Sequence, residues 1–336
     1  MNKNQLNSFR LFFFAAVGVL VLSGVLRLLG ADPALGASSE TIVSGKYLNP
    51  IQVALLYWYP ANQTTELAVG MGPYGVAFDG AAIWVANNAS NTVTKMRASD
   101  GKVEGTFAVA AFPFGLAFDG SNMWVSSQST GSVTKLRARD GAVVGNFPVG
   151  VGSTGVVFDG ANIWVASQTL SNVSKLRASD GALLGTFTVG TSPQFLAFDG
   201  ANIWTANFNS NNVTKLRASD GALLGTFAVG TNPLGIAFDG SNIWISNVGS
   251  NNVTKLRASD GSILGTFGAG ASPWGVAFDG ANIWVANHAS SNVTKLQASN
   301  GAMLGTFSAG STPFGIAFDG ANIWVANYSS NTISKL

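Results

Sequence analysis

An all-β fold is what this sequence predicts: a seven-bladed β-propeller of 40-residue, four-stranded blades, closed by an N-terminal outer strand. Three observations predict it. Phe-Asp-Gly returns at Phe78, Phe118, Phe158, Phe198, Phe238, Phe278 and Phe318, a period of 40 residues without one insertion. Each period holds four short strand-like runs, the signature of a propeller blade rather than of a helical solenoid. The composition agrees: 47% of the 336 residues are hydrophobic and 10% charged, with 41 glycines, which suits many short strands and tight turns.

The elements follow in chain order. Lys3 and Arg10 precede the apolar run "LFFFAAVGVLVLSGVL" (Leu11–Leu26), and small residues follow around Ala34–Ala37. A basic start, an apolar stretch and small residues mark an export signal. The 16-residue run makes about 24 Å of helix against a bilayer core of about 30 Å, short for a span. Residues 1–37 are therefore expected to be a signal peptide or an N-terminal membrane anchor, and the rest of the chain to be exported: periplasmic, secreted, or held at the outer side of the cytoplasmic membrane. A membrane contact would come only through that segment, if it is kept. Residues 38–63 are a linker with a degenerate strand, because "VALLYWYPAN" (Val53–Asn62) lies forty residues before "VTKMRASDGK". The propeller is assigned to 64–336. "TTELAVG" (Thr64–Gly70) stands in register with "GTFAVG" of later repeats. The seventh repeat ends at Leu336 in its third strand, so Thr64–Gly70 is expected to complete that blade; Val53–Asn62 competes with Thr332–Leu336 for the third-strand slot, and the C-terminal strand is preferred there, with Val53–Tyr59 packed beside it.

Within a blade the fifth repeat serves as the example. "GIAF" (Gly235–Phe238) is the first strand, "NIWISN" (Asn242–Asn247) the second, "NVTKLRA" (Asn252–Ala258) the third and "SILGTFGAG" the fourth. Asp239-Gly240 and Ser259-Asp260-Gly261 turn the corners, because Asp-Gly supplies the positive φ such turns need. Apolar residues at consecutive positions, as in Ile243-Trp244-Ile245, fit strands covered on both faces. The tryptophans at 84, 124, 164, 204, 244, 284 and 324 share one slot and read as blade-to-blade core.

"SPWGVAFDGANIWVANHASSNVTKLQASNGAMLGTF" resembles the YVTN/NHL type of β-propeller repeat, with its Pro-x-Gly, Asp-Gly, "VAN" strand, Asn-rich loop and closing strand. The resemblance covers residues 64–336 and is distantly similar to virginiamycin B lyase-like propellers. It implies the fold; such propellers host enzymes, binding proteins and scaffolds alike. In the lyase family a histidine base, an acidic residue and Mg²⁺ open a cyclic depsipeptide, which makes a streptogramin B lyase-like or other hydrolase/lyase activity the alternative reading.

Function is sought where the copies differ. After each Pro, or its substitute, stand Tyr74, Phe114, Thr154, Gln194, Leu234, Trp274 and Phe314. After each "VAN" or its equivalent stand Asn88, Gln128, Gln168, Phe208, Val248, His288 and Tyr328. In this strand order both series fall around the mouth of the central channel. None of the fourteen is Lys, Arg, Asp or Glu, and six are Phe, Tyr or Trp. Tyr74, Phe114, Gln194, Phe208, Trp274, His288, Phe314 and Tyr328 are the candidate ligand-binding residues, and a neutral glycan, peptide or protein surface is the expected partner.

The remaining chemistry is sparse. A net charge of +2 gives no reason to invoke nucleic acid. With no cysteine there is no disulfide, zinc-thiolate site or lipidated-cysteine anchor. His288 is the only histidine, and Glu occurs only at Glu40, Glu66 and Glu104. A catalytic role for His288 is therefore weak, and no cofactor or metal is expected. The Asp-Gly aspartates offer either a ring of carboxylates for a cation or acceptors for turn amides, and the turn reading is preferred. The "KLR" pairs, such as Lys215 and Arg217, read as solvated rim side chains covering apolar surface with their stems. Asn-Val-Thr at Asn212, Asn252 and Asn292 matches a glycosylation acceptor.

Overall fold

The computed structural model describes residues 65–336, all strand and turn. Strand β1 (Thr65–Ala68) comes first. The first blade is β2 (Pro73–Phe78), β3 (Ala82–Asn87), β4 (Thr92–Arg97) and β5 (Val103–Ala108), paired in that order as an antiparallel sheet. The next five blades repeat it as β6–β25, from Pro113 to Ser308, and the last contributes β26 (Pro313–Phe318), β27 (Ile323–Asn327) and β28 (Thr332–Lys335). The seven sheets are each four-stranded, because β1 pairs with β28 and completes the last. Its register is Thr65↔Lys335 through Ala68↔Thr332. Three C-terminal strands and one N-terminal strand thus make the closing blade. Val53–Tyr59, expected beside it, lies outside the described residues.

The core lies between blades rather than within them. Trp84 and Val93 of the first blade pack on Met123, Val125 and Leu136 of the second. Trp324 and Ile333 of the last blade pack on Ile83, Val85 and Met96 of the first, which closes the ring. A sheet face buried on each side explains why the second strands are apolar at successive positions.

Each Asp-Gly corner is a hydrogen-bonded unit. Asp239 Oδ1 accepts the Ser241 and Asn242 amides at 2.9 and 2.7 Å, while Oδ2 accepts the Trp244 indole N–H at 2.7 Å. All seven blades repeat the indole bond. These carboxylates are committed to their own corners, as the turn reading requires. Among the described residues no group of three or more His, Asp or Glu could hold a metal ion.

The lysines of the "KLR" stripe differ from expectation. Lys135, Lys175, Lys215 and Lys255 are buried, not solvated. Lys215 Nζ donates to Ala258 O of the next blade at 2.7 Å and lies 4.9 Å from the Trp204 ring centroid. Trp204 and Lys215 are cross-strand partners, so the ammonium sits on an indole face and reaches a carbonyl across the blade boundary. Arg177, Arg217 and Arg257 are exposed, Arg137 is half-buried, and each pairs with the second corner, as Arg217 does with Asp220 at 3.0 Å. Asn212, Asn252 and Asn292 are scaffold as well: Asn207 Nδ2 donates to Asn212 Oδ1 at 2.8 Å, and the later copies repeat this.

Candidate functional site

The innermost strands begin at the channel face, and each breaks register just after its first residue, as between Pro73 and Val76. Such a bulge re-aims side chains, and here it sends the residue after Pro over the channel. In six of the seven blades a glycine follows, and proximity requires it. A Cβ on Gly75 would stand 2.2 Å from the Phe114 carbonyl oxygen, and one on Gly275 2.4 Å from that of Phe314. Neighbouring inner strands touch backbone to backbone, and this narrows the channel.

Six candidate residues therefore converge. Tyr74 is central: its ring lies 4.2 Å from Phe114, 4.4 Å from Phe314 in a stacked pair, and 5.9 Å from Trp274 edge-on. Trp274 meets Phe314 edge-on at 4.3 Å. His288 is 4.7 Å from Phe314 and 5.5 Å from Trp274, and Tyr328 is 5.2 Å from Phe314. Phe114 and Phe314 are buried, whereas Tyr74, Trp274, His288 and Tyr328 keep part of their surface in solvent. The cluster is an aromatic floor with a half-exposed upper layer, spanning the sixth, seventh, first and second blades.

The other two candidates lie elsewhere on the ring. Gln194 is buried and donates from Nε2 to Gln168 Oε1 at 3.0 Å. Phe208, half-buried in the fourth blade, makes no ring contact with the cluster among the described residues. The mouth thus has an aromatic side and an amide side.

Burial sets the electrostatics. Desolvation, and after it the neighbouring Tyr328 hydroxyl, pushes Tyr74 far above the usual phenol range. Desolvation lowers the pKa of His288 below the usual imidazole range. Every Asp and Glu of the described residues lies on a corner or an outer strand, and the connections on the channel face carry no Lys, Arg, Asp or Glu at all. Among the described residues no Asp or Glu side chain is paired with His288.

One residue escaped the sequence reading. In the fourth blade Pro-x-Gly becomes Pro193-Gln194-Phe195, so a phenyl ring replaces the glycine and lies 5.5 Å from Phe114. One residue deeper along the inner strands is a cavity of about 170 Å³, lined by the glycine ring, Val156, Leu196, Ile236 and Phe195 itself. The break in the motif was the signal.

No family model matches the chain, and no curated protein matches it in sequence. Solved structures do share its shape. The virginiamycin B lyase of Staphylococcus aureus aligns with a TM-score of 0.71 at 18% identity, over 81% of this chain and 98% of that one. Kuenenia stuttgartiensis hydrazine synthase aligns with a TM-score of 0.71 at 17% identity, over 81% and 97%. U3-55K aligns with a TM-score of 0.72 at 13% identity, over 82% and 98%. Likeness at these identities is likeness of fold: the chain is a seven-bladed β-propeller, an architecture shared by proteins of unlike function.

Proposed function

We propose that the protein is an exported binding propeller that holds a neutral ligand on its channel face by aromatic stacking and amide hydrogen bonds, without catalysis. The observation that carries this reading is the convergence of Trp274, Phe314 and Tyr328 on Tyr74, each within 6.2 Å of its ring, on a face whose described connections carry no charged side chain. Aromatic side chains supply large contact areas at low entropic cost, and their buried lower members keep the upper ones in place. Export rests on the basic, apolar and small-residue order of the first 37 residues.

The test is binding to arrays of neutral oligosaccharides and uncharged peptides. Trp274→Ala with Tyr328→Ala should remove capture by about tenfold or more, while the melting temperature moves by only a few degrees, since both side chains are half-exposed. Undiminished capture by this double variant would overturn the reading. His288→Ala should leave binding largely in place, because the floor formed by Phe314 does not depend on it.

A further inference from the structure

The aromatic floor of the mouth is also the roof of a hollow beneath it. Of the residues that follow Pro or its substitute, Phe114, Thr154, Gln194, Leu234 and Phe314 are each more than nine-tenths buried. With Tyr74, stacked on Phe314 and 4.2 Å from Phe114, they close the channel on the variable face. Below them lies the cavity of about 170 Å³. All seven blades wall it through Val76 and its counterparts every forty residues to Ile316, which are Val, Leu or Ile throughout. Five glycines and Phe195 complete the wall. None of these side chains is polar, so peptide groups are the only polar surface the cavity has.

The shape of the cavity follows from the side chains that are missing. Glycine stands at this level in six blades because neighbouring backbones touch there. One residue of strand rises about 3.3 Å, so a level without Cβ atoms is a disc the thickness of a flat ring. Phe195 occupies one sector of the disc and meets the roof at Phe114, 5.5 Å away. At the other end of the channel the phenylalanine before each Asp-Gly is half-buried, and among the described residues no ring contact joins two of them. That end is the way in.

We propose that this level of the channel binds one small uncharged aromatic molecule, of phenol or indole size. A cavity of about 150 Å³ walled by Leu, Ile and Phe stays dry and admits benzene or xenon. The volume here therefore suits a ring compound of about six to nine non-hydrogen atoms. Tyr74, Phe114 and Phe314 offer it a roof of aromatic rings, Phe195 a ring at its edge, and the Val, Leu and Ile side chains an apolar girdle. A ligand hydroxyl or ring N–H meets the peptide carbonyls of the glycine level. A charged group would lose its water there and find no counter-ion. The site is separate from the mouth, where Trp274, His288 and Tyr328 lie above the roof, and does not depend on the role proposed for that surface.

The experiment is isothermal titration of the full chain with phenol, indole and toluene, and with benzoate and benzylamine as charged compounds of similar size. Expected is one molecule per chain for the neutral compounds and no binding of the charged pair. The filling variant is Val156→Leu with Val276→Ile, residues that other blades already carry at those positions, so folding is preserved. It should bind the neutral compounds about tenfold or more weakly and melt at or above the temperature of the parent chain. Phe195→Gly restores the glycine of the other blades and should admit 2-naphthol, which the parent chain refuses. No heat from any neutral compound, equal binding of the charged pair, or equal binding by the filling variant would overturn the proposal. Trp274→Ala/Tyr328→Ala should bind phenol and indole as the parent does. Loss in that variant and not in the filling one would place these compounds at the mouth and remove the cavity site.

Discussion

Asp239 shows how one side chain sets a corner. Its carboxylate accepts two backbone amides and the indole N–H of Trp244, which is fully buried. Removing it leaves that indole donor unpaired inside the core, so Asp239→Ala should cost about 2–4 kcal/mol, read by denaturant unfolding. Desolvation works to raise the carboxyl pKa, but the indole, Asn242 and backbone hydrogen bonds outweigh it, and the net shift is downward; Asp119, Asp159, Asp199, Asp279 and Asp319 behave alike. A depressed carboxyl stabilises the fold above its unfolded pKa, about 3.9, and that contribution is lost as pH falls through the lower folded value. Stability should therefore hold from neutrality to about pH 4 and fall steeply below it; a melting temperature flat to pH 2 would contradict the assignment. The turn was legible in Asp-Gly itself. The indole bond was not read, although the constant spacing of Asp and Trp across seven copies is the trace it leaves.

At the scale of the strand, Lys215 shows where pattern reading stops. A lysine between Thr214 and Leu216 on a third strand resembles a solvated rim residue, but a strand covered on both faces has no solvent side to offer. The cross-strand Trp204 supplies an aromatic face and the next blade supplies Ala258 O, so the charge stays buried and partnered. The partner belongs to a chain segment 43 residues away, beyond the reach of a local pattern. Lys215→Met keeps the stem and loses both interactions, leaving the Ala258 carbonyl without its donor; about 1–3 kcal/mol should be lost. Arg217→Ala, two residues on and half-exposed, should change stability by about 0.5 kcal/mol or less despite its ion pair with Asp220. Equal losses would mean that the lysine is a rim residue after all.

On the scale of the molecule, charge and variation are segregated. Corners, third strands and outer strands hold every Asp, Glu, Lys and Arg of the described residues, while the connections on the opposite face are neutral and carry the changed letters. The two variable series were legible because seven copies in one chain separate shared demands from free positions. That Tyr74 would touch Phe114 and Phe314 was not, since residues 40 and 240 positions apart meet only after the ring closes. Closure itself is the last testable point. β1 brings the paired register with β28, a Glu66–Thr332 hydrogen bond at 3.0 Å, the Val69 amide on Asn331 O at 3.1 Å, and Leu67 against the seam of the last and first blades. It also covers an edge that would otherwise expose unpaired backbone on β28. A chain starting at Met71 should therefore melt about 10 °C below one starting at Thr65, the shift expected for roughly 3–5 kcal/mol in a domain of this size, and should associate as concentration rises. Calorimetry of the two chains decides it: coincident melting would place closure in the packing of Trp324 and Ile333 on Ile83 and Met96 alone, with β1 an ornament on the rim.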